Sequence, residues 1–386
     1  MRQLSAISRQ PSTISVVVVL VTLVTGCSRN GFEGFFSSGQ RYLAANKFAD
    51  AAIEFQNAAR VNPQSSAAQV KLGDAYSSLK QTSAAAAAYQ RACTLDPRDV
   101  YACVQAAGKF LALGDFQNAI VYARTALSAD QYSLDGQLIL GSALAGIRRF
   151  AEAEERLEAA LALAPDDSRP YAAIGEMHGR RGNVKVAEVW LQKAVERDPK
   201  SADAHVALAQ VLLDTGRKAE GERELRAAVA ARPDDARANE LLASYLVDTD
   251  RCDDAEPYWK AVAASTTDGS GALALADFYV SRGRSDDALH ALSSPSAKGQ
   301  EQAAKSRMAS ILYDRGERSK AAQLVNELLE QHQSDVNALL LKARIALDQN
   351  DVAKAREYAH RAAEITPDAP AVRNMLATAT AAGSNK

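Results

Sequence analysis

The sequence predicts an all-α protein, a solenoid of helical hairpins closed by a C-terminal capping helix. Three observations carry that expectation. Pro63, Pro97, Pro165, Pro199 and Pro233 lie on one ladder with a step of 34 residues, and Gln131 fills the missing rung. Small residues recur at fixed offsets from this ladder. Alanine is abundant across the 386 residues, whereas aromatics make up only 6% and glycine and proline are sparse. A fixed period of this length marks one helical hairpin stacked on copies of itself, and the chain has room for about ten such units. Alanine is the strongest helix former and lets helices approach closely.

Taken in order along the chain, residues 1–26 are a predicted signal peptide, cleaved in the mature protein. Arg2 and Arg9 precede an apolar run from Ile14 to Val24, too short to cross a membrane comfortably but of the right length for a signal-peptide core. The run ends in Val24-Thr25-Gly26-Cys27, which resembles the lipobox of bacterial lipoproteins, where the cysteine becomes the lipidated N-terminus. Cys27 is therefore the expected lipidation site, the bearer of palmitate, and residues 27–31 form the lipidated cysteine and a short linker. Several acyl chains, at roughly 0.8 kcal/mol per buried methylene, hold a protein stably on its membrane. Ser28, in place of an aspartate after the cysteine, resembles lipoproteins sorted to an outer membrane. The expected location is the cell envelope, lipid-anchored on the outer membrane and facing the periplasm.

Residues 32–261 are expected to form units one to seven. Gly39, Gly73, Ala107, Gly141, Gly175 and Ala209 sit where the two helices of each hairpin would cross. Alanines on the second helix follow at Ala51, Ala85, Ala119, Ala153 and Ala187, and again at Ala58, Ala92, Ala126, Ala160, Ala194 and Ala228. Midway through the units stand residues tolerant of the left-handed conformation that ends helices: Asn46, Gly114, Gly182, Gly216, Gly283, Gly316 and Asn350. Proline closes the second helix, and acids after it, among them Asp99, Asp167 and Asp235, are placed to cap the next. Residues 262–300 form an irregular seam with a degenerate unit eight, residues 301–369 hold units nine and ten, and residues 370–386 form the capping helix and tail. Just before the seam, Pro257 is expected to kink or restart its helix.

The spacing, the small-residue positions, Tyr42, Tyr76 and Phe110 on first helices, and Phe55 and Tyr89 on second helices all resemble the tetratricopeptide repeat. The resemblance covers nearly the whole mature chain and implies a right-handed superhelical solenoid whose first helices line a concave groove. Carried over to this chain, the groove positions of units one to four are Phe36, Gln40, Leu43, Val70, Asp74, Tyr101, Val104, Leu111 and Leu138. Units five to ten offer Arg169, Glu176, Arg180, Arg237, Glu240, Asp277 and Arg344. The partner-binding residues this implies are Phe36, Gln40, Val70, Asp74, Tyr101, Val104 and Leu138, with Arg169 and Arg180 on the polar part of the face. An apolar groove with few charges suits an amphipathic helix or apolar peptide. The repeat type that grips a C-terminal carboxylate needs lysine at the fifth position and asparagine at the ninth. Here the fifth positions are Phe36, Val70, Val104, Leu138 and Ala172.

A lipobox followed at once by the hairpin that begins around Gly39 and Tyr42 is similar to the tetratricopeptide lipoproteins of exopolysaccharide and exosortase clusters, and to those that guide pilus secretins. That similarity implies a non-enzymatic envelope scaffold serving export or assembly of a surface polymer. The alternative is a structural adaptor that docks envelope hydrolases or the outer-membrane insertion machinery.

Other chemistry is not expected. The formal charge is −2, and −4 without Arg2 and Arg9, so the basic face that nucleic acid demands is missing. His178, His205, His290, His332 and His360 lie at least 27 residues apart, which leaves no metal-binding pair on one helix. Gly269-Ser270-Gly271 lacks the strand-loop-helix setting of a phosphate loop. No metal, cofactor, small-molecule substrate or enzymatic activity follows from these residues. Cys93 and Cys103 flank one inter-unit turn, where an oxidising compartment would permit a bridge. Reading Cys93 as outward and Cys103 as a packing residue favours two separate thiols.

The anchor is tested directly. The native chain should partition with membranes and incorporate labelled palmitate, and Cys27→Ala should abolish both; a native chain that takes up no label would remove the lipoprotein reading and leave the repeats intact.

Overall fold

The computed structural model describes residues 31–384. The signal peptide and the lipidation site at Cys27 lie outside the described residues. Among those residues there is no strand. The chain divides into two compact units, one ending at Thr215 and one beginning at Gly216.

The first unit is a stack of antiparallel hairpins. Helix α1 (31–44) pairs with α2 (Phe48–Val61), α3 (Ser66–Ser78) with α4 (Thr82–Leu95), and α5 (Val100–Ala112) with α6 (Phe116–Ala129). The hairpins of α7 (Leu134–Gly146) with α8 (Phe150–Leu163) and α9 (Ser168–Arg181) with α10 (Val184–Arg197) follow, and then α11 (Ala202–Asp214). The second unit opens with α12 (Lys218–Ala231). Its hairpins are α13 (Ala236–Asp248) with α14 (Cys252–Ser265), α15 (Ser270–Ser281) with the short α16 (Ser285–Ser293), α17 (Glu301–Asp314) with α18 (Arg318–Gln331), and α19 (Val336–Asp348) with α20 (Val352–Ile365). A 3-10 turn, Pro295–Ala297, precedes α17, and α21 (Pro370–Ser384) packs on α20.

Each hairpin closes around a residue with little or no side chain. A Cβ on Gly39 would lie 2.7 Å from the Phe55 ring, and one on Gly73 would lie 2.7 Å from Tyr89. Gly141 and Gly175 stand in the same relation to Leu157 and Leu191, at 2.6 Å. The alanines Ala51, Ala85, Ala119, Ala153 and Ala187, with Ala58, Ala92, Ala126, Ala160 and Ala194, are all at 0% exposure, so the second helices are sunk to the backbone along one stripe. The turn residues also follow the sequence: Asn46, Gly114 and Gly182 have φ of 57°, 74° and 90°. Lys80, Arg148 and Asp250 adopt the same region at φ 57°, 64° and 58°, although no glycine or asparagine marks them. A side chain there costs about 1–2 kcal/mol, which the packing on both sides of the turn outweighs.

The boundaries between hairpins are held by side chains bonding to backbone. Ser65, Asp99, Ser133, Asp167 and Ser201 in the first unit, and Asp235 and Asp335 in the second, each accept a backbone N–H in the first turn of a first helix. A second bond recurs six residues after the rung of the ladder. Gln137 Nε2 donates to Gln131 O at 3.1 Å, Tyr171 Oη to Pro165 O at 2.8 Å and Asn239 Nδ2 to Pro233 O at 2.9 Å. His205 Nε2 lies 3.0 Å from Pro199 O and carries the proton there, because a carbonyl only accepts. This explains the buried histidine without a ligand role.

Two expectations are corrected. Helix α14 runs unbroken from Cys252 to Ser265 through Pro257, so the proline does not restart the helix. The proline is the sixth helical residue, so the one acceptor it leaves unbonded is the carbonyl of Asp253 in the first turn, next to a fully exposed side chain. Cys93 and Cys103 are not separate thiols but a disulfide, with Cα atoms 4.8 Å apart. Cys93 does not face outward: it is 1% exposed and Cys103 0%, on facing helix ends.

In the second unit the arginines at the starts of α14 and α16 tie neighbouring hairpins. Arg251 grips Glu222 of α12 through two bonds of 2.9 and 2.7 Å, and Arg284 reaches Glu256 of α14 at 2.5 Å while also bonding Asp287 at 2.7 Å. The Arg251 guanidinium holds the Glu222 carboxyl at about 2, and Arg284 with Lys260 does the same to Glu256.

These contacts can be tested in two ways. Gly141→Ala should destabilise the full chain by about 1–3 kcal/mol through overpacking and Leu157→Ala by about 2–5 kcal/mol through a cavity, while the double variant should cost less than the two together; strictly additive unfolding midpoints would show that the pair does not cross. For Glu222 and Glu256 the folded carboxyls titrate at about 2 against an ordinary 4.5. The stabilisation they give is complete above the ordinary value and is lost as pH falls from there toward 2. Thermal melts across that window should therefore flatten in the Glu222→Gln/Glu256→Gln variant, and an undiminished acid slope would contradict the assignment.

Candidate partner-binding faces

In the first unit the face carried by the first helices centres on Asp74. Tyr89 Oη donates to Asp74 Oδ1 at 2.9 Å, Tyr101 Oη donates to the same oxygen at 3.0 Å, and Lys71 Nζ pairs with Oδ2 at 2.9 Å. Burial, with the Asp74 charge beside them, pushes both phenols above the ordinary tyrosine range, so each stays a donor. Tyr101 is pinned by this bond and stands edge-on to Tyr89 with ring centroids 6.2 Å apart, yet it is 51% exposed. An aromatic ring held in place but open to solvent loses little entropy on meeting a partner.

The residues named from the sequence fall into three groups. Tyr101, Gln40, Arg169 and Arg180 are exposed, and Phe36, Val70 and Asp74 are half-buried. Phe36 stacks on Phe32 and meets Phe55 edge-on, with centroids 5.5 and 5.6 Å apart. Val104 and Leu138 are buried at 8% and 9% exposure, inside the hydrophobic clusters between helices. These two pack the fold and offer a partner almost no surface. Arg169 is already engaged, 2.7 Å from Asp135 and 2.7 Å from Asp167, and its hydrogen bonds hold the Asp167 carboxyl below its ordinary range.

The second unit carries a groove that the repeat pattern did not single out. A pocket of about 1110 Å³ opens along α15, α17, α19 and α21. Ser306, Ser310, Asn337, Ile311, Leu340 and Met375 are among its lining. Charged pairs span neighbouring first helices across it: Arg307 binds Asp277 through bonds of 2.8 and 3.0 Å, and Arg344 lies 3.8 Å from Asp314. Gln302 Nε2 donates to Asp335 at 2.9 Å, tying α17 to the cap of α19. The charges are thus largely matched within the protein, leaving hydroxyls, an amide and apolar side chains to face a ligand. The sequence did place Asp277 and Arg344 on this face, but the shortened eighth hairpin brings α17 in at Glu301, only 31 residues after Ser270 starts α15, and the ladder loses its step there. Among the described residues no three metal-ligating side chains converge, and no helix is long and apolar enough to cross a membrane.

Comparison with known proteins agrees with this arrangement. Family models described as tetratricopeptide repeat match residues 36–100, 110–176, 180–245 and 306–370, together more than half of the chain. No curated protein matches the chain by sequence. Among solved structures, the human IFIT1 dimer with PPP-AAAA is similar in fold at 16% identity and a TM-score of 0.50, covering 86% of this chain and 82% of that one. A thermophilic tetratricopeptide protein of Thermus thermophilus matches at 23% identity and a TM-score of 0.43, covering 47% of this chain and all of its own.

Proposed function

Because the chain belongs to the tetratricopeptide repeat family, we propose that it is a non-enzymatic scaffold of the bacterial envelope, which holds protein partners against the face of its first helices in the export or assembly of a surface polymer. The repeats themselves make it a protein-interaction scaffold. The observation that carries the binding reading is the 1110 Å³ groove of the second unit. Ser310 and Asn337 provide donors and acceptors for the peptide groups of an extended segment, and Leu340 and Met375 provide an apolar seat for one of its side chains. The pinned Tyr101 ring and the Phe36 cluster give the first unit a smaller aromatic contact area of the same kind. The envelope setting rests on the lipobox at Cys27, and polymer export rests on the resemblance of lipobox and first hairpin to lipoproteins of exopolysaccharide and pilus systems.

Site-specific photo-crosslinking in living cells tests the reading. Crosslinkers at Ser310 and Asn337, and at Gln40 and Tyr101, should each capture a defined partner, while one at the exposed Ile53 on α2 should not. Leu340→Ser should weaken capture by about 1 kcal/mol or more with helicity retained. Adducts from Ile53 alone would remove the groove reading, and partners unconnected with polymer export would remove that part while leaving the scaffold.

A further inference from the structure

The disulfide occupies a position with a defined task elsewhere in the fold. Cys103 stands six residues after Pro97, where Gln137, Tyr171, His205 and Asn239 satisfy the carbonyl of their own rung. A half-cystine has no proton to give, and Cys103 Sγ is 3.9 Å from Pro97 O, beyond the reach of those bonds. At this one boundary a covalent link from the end of α4 to the start of α5 takes over the work of the hydrogen bond. The segment it closes, ten residues in sequence separation, includes Tyr101, whose hydroxyl is held on Asp74 and whose ring is the exposed aromatic of this face. Both sulfurs are buried among Ala92, Ala102, Val104 and Ala126.

We infer that the Cys93–Cys103 bridge is a maturation lock. It is acquired when the chain passes through an oxidising compartment, it fixes the turn that carries Tyr101 against Asp74, and once folded it is beyond the reach of thiol reductants. The chemistry is thiol–disulfide exchange with a disulfide oxidant, either an oxidoreductase or glutathione disulfide. One cysteine thiolate attacks an oxidant sulfur and expels the first thiolate. The second cysteine then attacks the mixed disulfide and expels the other. The two cysteine protons end on the two released thiols, so the protein loses two electrons and two protons and the oxidant gains them. Thiol-rich cytosol works against such a bond, whereas oxidising compartments keep it. Attack by a reductant needs access along the sulfur–sulfur axis, which burial at 1% and 0% exposure denies. The lock needs no partner and stands apart from the groove.

The full chain, recovered after export and quenched in acid with an alkylating agent, should yield a linked peptide pair containing Cys93 and Cys103, while Cys252, which has no sulfur partner among the described residues, is alkylated on denaturation. Alkylation of Cys93 and Cys103 in that chain would overturn the bridge. The same chain retained in a reducing cytosol should be alkylated at both, and a bridge formed equally there would overturn the compartment. The native bridged chain should resist millimolar dithiothreitol until denaturant is added; rapid reduction without denaturant would make the bond a switch and not a lock. Cys93→Ala/Cys103→Ala should unfold at a lower temperature than the parent. Cys93→Ala/Cys103→Gln, which restores the amide donor used at Gln137, should recover part of that loss. An unchanged midpoint in the alanine pair would show that the bridge fixes nothing.

Discussion

Within each hairpin the two helices meet where one of them carries a glycine or alanine, and the rest of the fold is arranged around that approach. At Gly39, Gly73, Gly141 and Gly175 the missing Cβ is replaced by the body of Phe55, Tyr89, Leu157 or Leu191 from the opposite helix. In the third hairpin Ala107 and Ala123 divide the space more evenly, both fully buried. The sum of the two side chains is what the crossing constrains, not either residue alone. Close packing of this kind fixes the tilt of one helix on the other. The tilt in turn decides which side of the first helix faces its neighbours and which side is left for solvent or a ligand. Glycine weakens a helix by up to about 1 kcal/mol relative to alanine, so its recurrence inside first helices reflects packing against a large partner.

Stacking hairpins creates a second problem, the backbone groups at each boundary. First-helix N–H groups are met by serine or aspartate, and the carbonyls of Gln131, Pro165, Pro199 and Pro233 are each met by a polar side chain six residues on. The donor differs at each boundary, an amide, a phenol or an imidazole, because only the geometry of the acceptor is fixed. Where Leu339 fills the position, Arg361 from the following helix donates to Gln333 O at 3.3 Å instead. The buried side chains of Gln137, His205 and Asn239 each find a partner for a donor there, and a buried donor left unmet costs about 1–3 kcal/mol.

The period of 34 made the hairpins, their crossings and most of their turns legible, because glycine, alanine and proline act on the backbone and leave the same mark in every unit. The rung donors carried no such mark: Gln137, Tyr171, His205 and Asn239 share a function but no chemistry that a repeat search aligns. The disulfide was hidden for a related reason. The burial of Cys93 depends on the angle at which α4 meets α5, and one helical step of error turns an inward sulfur outward. Site residues were legible only in part. Family positions put Val104 and Leu138 on the open face, but these two side chains are drawn into the seams between helices, whereas Tyr101, held by a polar bond to Asp74, stays exposed.

Helix α21 helps to build the groove of the second unit. Helix α21 begins at Pro370, one full period after Val336, so it occupies the register of a first helix. Its inner side is ordinary core, with Val372 and Ala379 fully buried. On the side where a second helix would cross, the equivalents of the buried Leu339 and Ala343 are the exposed Arg373 and Ala377, which water can meet without cost. Arg356 of α20 donates to the carbonyls of Ala379 and Thr380 at 3.1 and 2.8 Å, tying the C-terminal part of α21 to α20. Its third side brings Ala371 and Met375 to the pocket as a far wall. In this register α21 lines the groove at no loss to the core, because the side chains it gives to the pocket are ones that its buried side, Val372 and Ala379, does not use.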